Sequence, residues 1–411
     1  MAKSGQNVSD IKNANRSLLL NILYYDGAQS RKALAQKSNL TPAAITGLMA
    51  ELIVEGAVVE TDKVTTEGRL GRSEQLIDIN YLSLYVIGIR FETESFETSL
   101  VRLDSKMTAK KITELPFCPL DRITFGKMVS ATVQDIITES AVDVAQVVGV
   151  GVTVSGIVDS EHGASIDSYG ILEKDLNIVS ELMKTLTFPI AVENNVRSML
   201  RSDSILRHAK PLQSTLFIRY GPGVGAALLV GQKNFIGSNY RAVELGHISV
   251  EAGGDKCVCG KRGCLETVVS YEAIVKNAKK IFSAEQAPVL FESCNGDINN
   301  LTLEQILSAY EKEDVGVNHL MKSVVVRFAM AVANSAVLLD PERVLLASGI
   351  FTIEKFAKQL QNAISFFSDQ HKPRYLMIAN SSKLDKRGAA CVAIHAFLAT
   401  GAKTLRDNKV K

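Results

Sequence analysis

The chain has 411 residues, enough for two or three domains with cores of their own. Its 46% hydrophobic and 22% charged residues are ordinary for a globular protein, and a net charge of +2 excludes a global pull toward nucleic acid or membrane. Met1 to Gln6 is polar, no apolar run reaches membrane-spanning length, and six cysteines suit a reducing compartment, so the expected location is the cytoplasm.

Charge is nevertheless uneven. Residues 1–50 carry Lys3, Lys12, Arg16, Arg31, Lys32 and Lys37 against Asp10 and Asp26, which is permissive for a phosphate backbone. An apolar stripe of Ile11, Leu18, Leu19, Ile22 and Leu23 predicts a first helix from Asn7 to Tyr25. Ser30 caps a short second helix, Arg31 to Lys37. Thr41-Pro42 opens a third, with threonine as N-cap and proline at the first helical position. Val58 to Glu60 and Leu76 to Ile79 read as a hairpin. Short helices joined by a tight turn and followed by a hairpin describe a winged helix-turn-helix over residues 1–80. Its recognition helix would offer Thr41, Ala43, Ala44, Thr46 and Gly47 to base edges, since small side chains permit close approach. Arg31, together with Arg69 and Arg72 in a glycine-flanked wing loop, would meet the phosphates or the minor groove. The competing reading is a protein-interaction module with a basic loop.

Residues 81–195 read as three strands (Tyr85 to Phe91, Thr98 to Leu103, Lys110 to Leu115), a helix from Asp121 to Ser140 and a buried strand, Val147 to Val154. Ser155-Gly156 follows as a strand-to-loop turn, and Pro189 to Asn195 ends another strand in Asn194-Asn195. In residues 196–386 the strands Leu216 to Tyr220 and Ala226 to Val230 flank Gly221-Pro222-Gly223-Val224-Gly225, a tight turn that no helix follows, so it is not a dinucleotide fingerprint. Helices are expected over Thr267 to Phe282, Thr302 to Glu311 and Val315 to Leu339, and a last one from Ala389 to Thr400.

The most specific pattern is Glu244-Leu245-Gly246-His247 followed by Cys257-Val258-Cys259-Gly260-Lys261-Arg262-Gly263-Cys264-Leu265-Glu266. Thiolates and imidazole are the donors zinc prefers, and His247, Cys257, Cys259 and Cys264 form a closed four-ligand structural set. Gly260 and Gly263 sit where the loop must turn to aim several sulfurs at one ion. The alternative is three unrelated buried thiols.

This motif is similar to the signature of the ROK family (repressor, open reading frame, kinase), and the resemblance runs over nearly the whole chain. It implies an α/β fold: a winged helix-turn-helix, then a two-lobed, actin-like (ribonuclease H-like) sugar-kinase body. The first lobe would be residues 81–195, completed by 387–411, and the second 196–386. Glu244, His247 and Glu266 would correspond to sugar contacts, with Gly156, Asn194 and Asn195 lining the cleft. The N-terminal segment resembles the repressor branch, including Gly71-Arg72.

Against the family's kinases this chain departs at each place that handles phosphate. Arg90 stands where an acid should hold magnesium, and Glu92 where a glycine should approach phosphate. Asn195 replaces the aspartate that would accept the sugar hydroxyl's proton; an amide binds but cannot take that proton. The expected adenosine turn, Ala347-Ser348-Gly349, carries two side chains. The resemblance therefore implies no catalytic residue and a sugar-responsive regulator, expected to be a repressor. It would bind operator DNA as a homodimer or dimer of dimers and sense a sugar or sugar phosphate. The alternatives are an active ATP-dependent sugar kinase with an added N-terminal domain, or a sensor controlled by a sugar-transport protein.

Overall fold

A computed structural model describes residues 7–64, 74–210, 212–231, 233–368, 373–379 and 382–402. It divides into two compact units, residues 1–210 with 384–411, and residues 211–383. The expected boundary at residue 195 is the first residue of helix Asn195–Arg207, and the first unit runs on past that helix.

The first unit begins with three helices, Val8–Asp26, Arg31–Ser38 and Pro42–Val54. Local chemistry sets their starts. Asn7 and Asp10 form a capping box, the Ser30 hydroxyl accepts from Ala33 N–H, and the Thr41 hydroxyl accepts from Ala44 N–H with Pro42 next in line. Strands Val58–Val64 and Glu74–Ile79 pair antiparallel, and the two-residue strand Gln29–Ser30 joins them. This is the expected winged helix-turn-helix.

The head shares its core with the body of the same unit. Leu19, Leu20, Leu23, Ile45 and Leu52 cluster with Ile205, Ile394 and Phe397. Tyr24 donates its hydroxyl to the Ile205 carbonyl at 3.0 Å and stacks on the His208 ring at 4.5 Å. Arg16, 7% exposed, donates from Nε to the Gly401 carbonyl at 2.8 Å and pairs with Glu55 just beyond the recognition helix.

Behind the head lies a five-stranded sheet in the order Ile190–Asn194, Val147–Val154, Tyr85–Phe91, Ser95–Arg102, Met107–Glu114. The first three strands are parallel and the last two antiparallel. The second and third in sequence start earlier than the apolar pattern predicts, because tight turns (Glu92 N–H to Ser95 carbonyl, 2.8 Å; Arg102 N–H to Lys106 carbonyl, 2.9 Å) let polar residues enter the ladder. The last helix, Ser382–Ala399, starts seven residues before the expected Ala389 and lies on this sheet. The approach is close: a Cβ on Gly151 would stand 2.0 Å from the Ala389 carbonyl oxygen, and one on Gly88 2.7 Å from Ala390 N.

The second unit has a sheet in the order Lys233–Asn234, Val224–Val230, Ser214–Tyr220, Arg343–Ala347, Arg374–Ile378, over a separate apolar core. The helix expected from Thr267 to Phe282 is broken at Ser270, whose hydroxyl caps Tyr271–Lys280. Helix Val315–Leu339, 25 residues, is long and apolar enough by length and composition alone to cross a membrane, although Asn318, His319, Lys322 and Arg327 interrupt its apolar run. Its composition has a packing cause, because Val317, Val324, Phe328 and Val332 lie in the second core.

One group in the C-terminal helix sets a pH response. Desolvation, helped by the Arg201 charge, holds the His395 imidazole at about 3, against a usual 6.5. The unfolded chain takes up this proton below pH 6.5 and the folded chain does not. Stability from this group is therefore complete above 6.5 and is lost as pH falls toward 3, at about 1.4 kcal/mol per unit. Between pH 7.5 and 5.5 it contributes a loss of about 1.4 kcal/mol. Denaturant titrations at both pH values should show this loss reduced in His395→Gln; an identical loss in both proteins would refute the assignment.

Candidate functional site

In the recognition helix, Thr41, Ala43, Thr46 and Gly47 are exposed, and Ala44 is half-buried. Both threonine hydroxyls have local partners: Thr41 caps the helix, and Thr46 donates to the Pro42 carbonyl at 2.9 Å. What the helix offers outward is thus a flat, small surface with lone pairs. Arg31 is held by Glu60 at 2.8 Å, so its guanidinium is shared with the protein's own carboxylate. Arg69 and Arg72 lie outside the described residues.

The second unit brings His247, Cys257, Cys259 and Cys264 together. One donor atom from each lies within 4.8 Å of all the others. Cys257 Sγ is 3.5 Å from His247 Nδ1, and Cys259 Sγ is 3.6 Å from Cys264 Sγ. A tetrahedral ion with donors at about 2.0–2.3 Å requires spacings of about 3.3–3.8 Å, and both of these spacings fall in that range. Burial pushes the Cys264 thiol up to about 12 and also raises Cys257. A cation is what would let these sulfurs be thiolates together.

Two glycines make the loop possible. Gly263 has φ +66°, and a Cβ there would lie 1.7 Å from the Glu251 carbonyl oxygen. A Cβ on Gly246 would lie 2.2 Å from the Val224 carbonyl oxygen, so the loop seats directly on the Gly221–Gly225 turn. With Nδ1 turned to the sulfurs, His247 points Nε2 the other way, 3.8 Å from the exposed Glu244 carboxylate. Glu266, half-buried, accepts from Val224 N–H at 2.9 Å.

In the first unit the polar residues expected at the cleft sit at the carboxyl ends of the parallel strands. A Cβ on Gly156 would lie 2.0 Å from the Asp167 carbonyl oxygen, and its φ is +95°, so only glycine fits. Asn194 is largely committed to structure: its Oδ1 accepts from Val196 and Arg197 N–H as helix N-cap, and its Nδ2 donates to the Gly156 carbonyl at 2.8 Å. Asn195 donates from Nδ2 to Ser155 Oγ at 3.0 Å and accepts from Val196 N–H through Oδ1 at 2.9 Å, so both ends of its amide have partners within the protein. The N-cap of the next helix is its neighbour Asn194.

Arg197, Glu97, Asp385 and Tyr271 escaped the sequence reading. Arg197 bonds Glu193 at 2.6 Å and the Val158 carbonyl at 2.7 Å, tying the Ser155–Asp159 loop to the strand end. An i, i+4 Glu–Arg pair across a strand-to-helix junction is the signal that was available. Arg90 is enclosed by Glu92, by Asp385 at 3.4 Å and by Glu97 at 3.9 Å. Its Nε–H is buried without a hydrogen bond among the described residues. At the expected adenosine turn, the Tyr271 hydroxyl lies 2.9 Å from Ser348 Oγ and accepts from Ile350 N–H at 3.3 Å.

Comparison with known proteins agrees with this geometry. The model of the ROK family matches residues 86–396. The DNA-binding transcriptional dual regulator NagC of Escherichia coli (strain K12) is 24% identical over 357 residues, covering 85% of this chain and 84% of its own. A crystal structure of a ROK family transcriptional regulator, a homolog of the E. coli MLC protein, superposes with a TM-score of 0.80 at 21% identity, over 95% of this chain and 98% of its own. A ROK family glucokinase from Streptomyces griseus, in complex with glucose and AMPPNP, superposes with a TM-score of 0.60 at 20% identity, over 75% of this chain and 99% of its own.

Proposed function

The chain belongs to the ROK family, and from that premise we propose that it is a sugar-responsive transcriptional repressor without kinase activity. The observation that carries the reading is a winged helix-turn-helix head sharing its core with the body of the first unit, in a chain where Arg90 is enclosed by carboxylates and Ser348 is covered by Tyr271. The relatives include proteins named N-acetylglucosamine repressor and xylose repressor, which supports a carbohydrate effector.

In this proposal Thr41, Ala43, Ala44, Thr46 and Gly47 read base edges, and Arg31, Arg69 and Arg72 meet the backbone. Gly156, Asn194 and Asn195 of the first unit are proposed sugar contacts, as are Glu244, His247 and Glu266 of the second. His247, Cys257, Cys259 and Cys264 would hold a zinc ion. The ion's chemistry would be structural, fixing the loop so that His247 Nε2, Glu244 and Glu266 keep their positions. The working form is a cytoplasmic homodimer or dimer of dimers on two half-sites, and a sugar-transport protein is a further candidate partner. Effector and DNA are then coupled reciprocally.

The test is a gel-shift titration of duplexes across salt and sugars, run beside an ATP-turnover assay. The expected result is a sequence preference that a sugar alters, with no nucleotide consumed. Absence of any duplex preference would remove the regulator reading, and metal-dependent ATP consumption with a hexose would establish the kinase instead.

A further inference from the structure

The first unit's proposed sugar contacts share one sheet edge with Arg90. Strands Tyr85–Phe91, Val147–Val154 and Ile190–Asn194 run parallel as neighbours, with Arg90 beside Thr153 and Val154 beside Asn194. Arg90 and Asn195 therefore stand at the carboxyl ends of strands two apart, about 10 Å across at about 4.8 Å per strand. A monosaccharide held by Asn195 and Gly156 can reach that far with its exocyclic arm, the part that a phosphate would occupy in a sugar phosphate.

The charge there opposes a phosphate. Arg90 is the cation facing the Glu92, Asp385 and Glu97 carboxylates, with Asp385 at 3.4 Å and Glu97 at 3.9 Å. One guanidinium against three carboxylates leaves the surroundings negative. Glu97 is 6% exposed, so water does little to screen it. Asp385 also occupies the first turn of helix Ser382–Ala399, where free backbone N–H groups would otherwise attract an anion.

At this end of the sheet, where phosphate would be welcome, side-chain carboxylates are installed. We infer that the effector is an uncharged sugar, and that phosphorylated sugars are rejected by these carboxylates. The inference rests on the sugar-sensor reading above and narrows it from sugar or sugar phosphate to the first.

Isothermal titration calorimetry on the full, zinc-loaded chain tests it. The probes are glucose, mannose and N-acetylglucosamine, each beside its 6-phosphate, at low and high salt. The expected result is binding of at least one free sugar, with its phosphate at least about tenfold weaker. That gap should narrow with salt. The double variant Glu92→Gln/Asp385→Asn should also narrow it, at least about threefold. A phosphate that binds more tightly than its parent sugar, or a gap unmoved by the double variant, overturns the inference and leaves the sugar sensor standing. Binding of neither form removes the sensor reading itself, and the inference with it.

Discussion

Cys264→Ser should abolish the proposed zinc binding of the cysteine loop. Cys264 is fully buried, and a serine hydroxyl at neutral pH does not replace a thiolate as a zinc donor. The three remaining donors make an open set, and zinc content should fall from about one ion per chain to below about 0.1. The loop has backbone ties of its own, including Cys257 N–H to Lys261 carbonyl at 2.8 Å and Leu265 N–H to Ile248 carbonyl at 2.9 Å, so the surrounding core should survive. What is lost is the aim of His247, Glu244 and Glu266. Sugar affinity should drop by about 10–100-fold, the scale found when a ligand's support is removed. A chromophoric chelator and calorimetry read both quantities. Full zinc occupancy in the variant would sink the four-ligand assignment, and unchanged sugar affinity would sink the link to the effector.

Ala43→Glu will separate DNA binding from folding. Ala43 is exposed at the second position of helix Pro42–Val54, where an acidic side chain favours the helix by about 0.3–1 kcal/mol. On an operator the same carboxylate faces phosphates and base edges, and we expect at least about a hundredfold loss of affinity, roughly 2.7 kcal/mol. Fluorescence anisotropy with a duplex selected from a random pool by the unmodified protein measures the loss, and a thermal melt checks the fold. A folded variant with unchanged affinity would mean that this helix does not enter a groove.

These two regions were legible in the sequence because their chemistry is local. Ser30, Thr41-Pro42 and the Cys-x-Cys-Gly-x-x-Gly-Cys run each declare their role within a few residues, and each folds as its neighbours dictate. The surroundings of Arg90 could not be read that way. Its partner Asp385 is 295 residues distant, and only the seating of the last helix on the sheet brings them together. That helix was itself placed too late, because Leu384 to Arg387 is mostly charged and shows no apolar period. Asn194 and Asn195 are chemically identical neighbours, and only backbone geometry decides that the first caps the helix and the second bonds Ser155 and Val196. Ser348 likewise looked like one more side chain in a turn until Tyr271 was found against it.

The shared core of head and body has a consequence for anyone hoping to build chimeras. A reader excised after residue 80 would lose Ile205, Ile394 and Phe397 from its shared core, and would leave Tyr24 and Arg16 without Ile205 and Gly401. Such a fragment should be sticky on its own and a poor graft onto another sensor. The transplantable cassette runs from the first helix through His208 and takes the C-terminal helix with it.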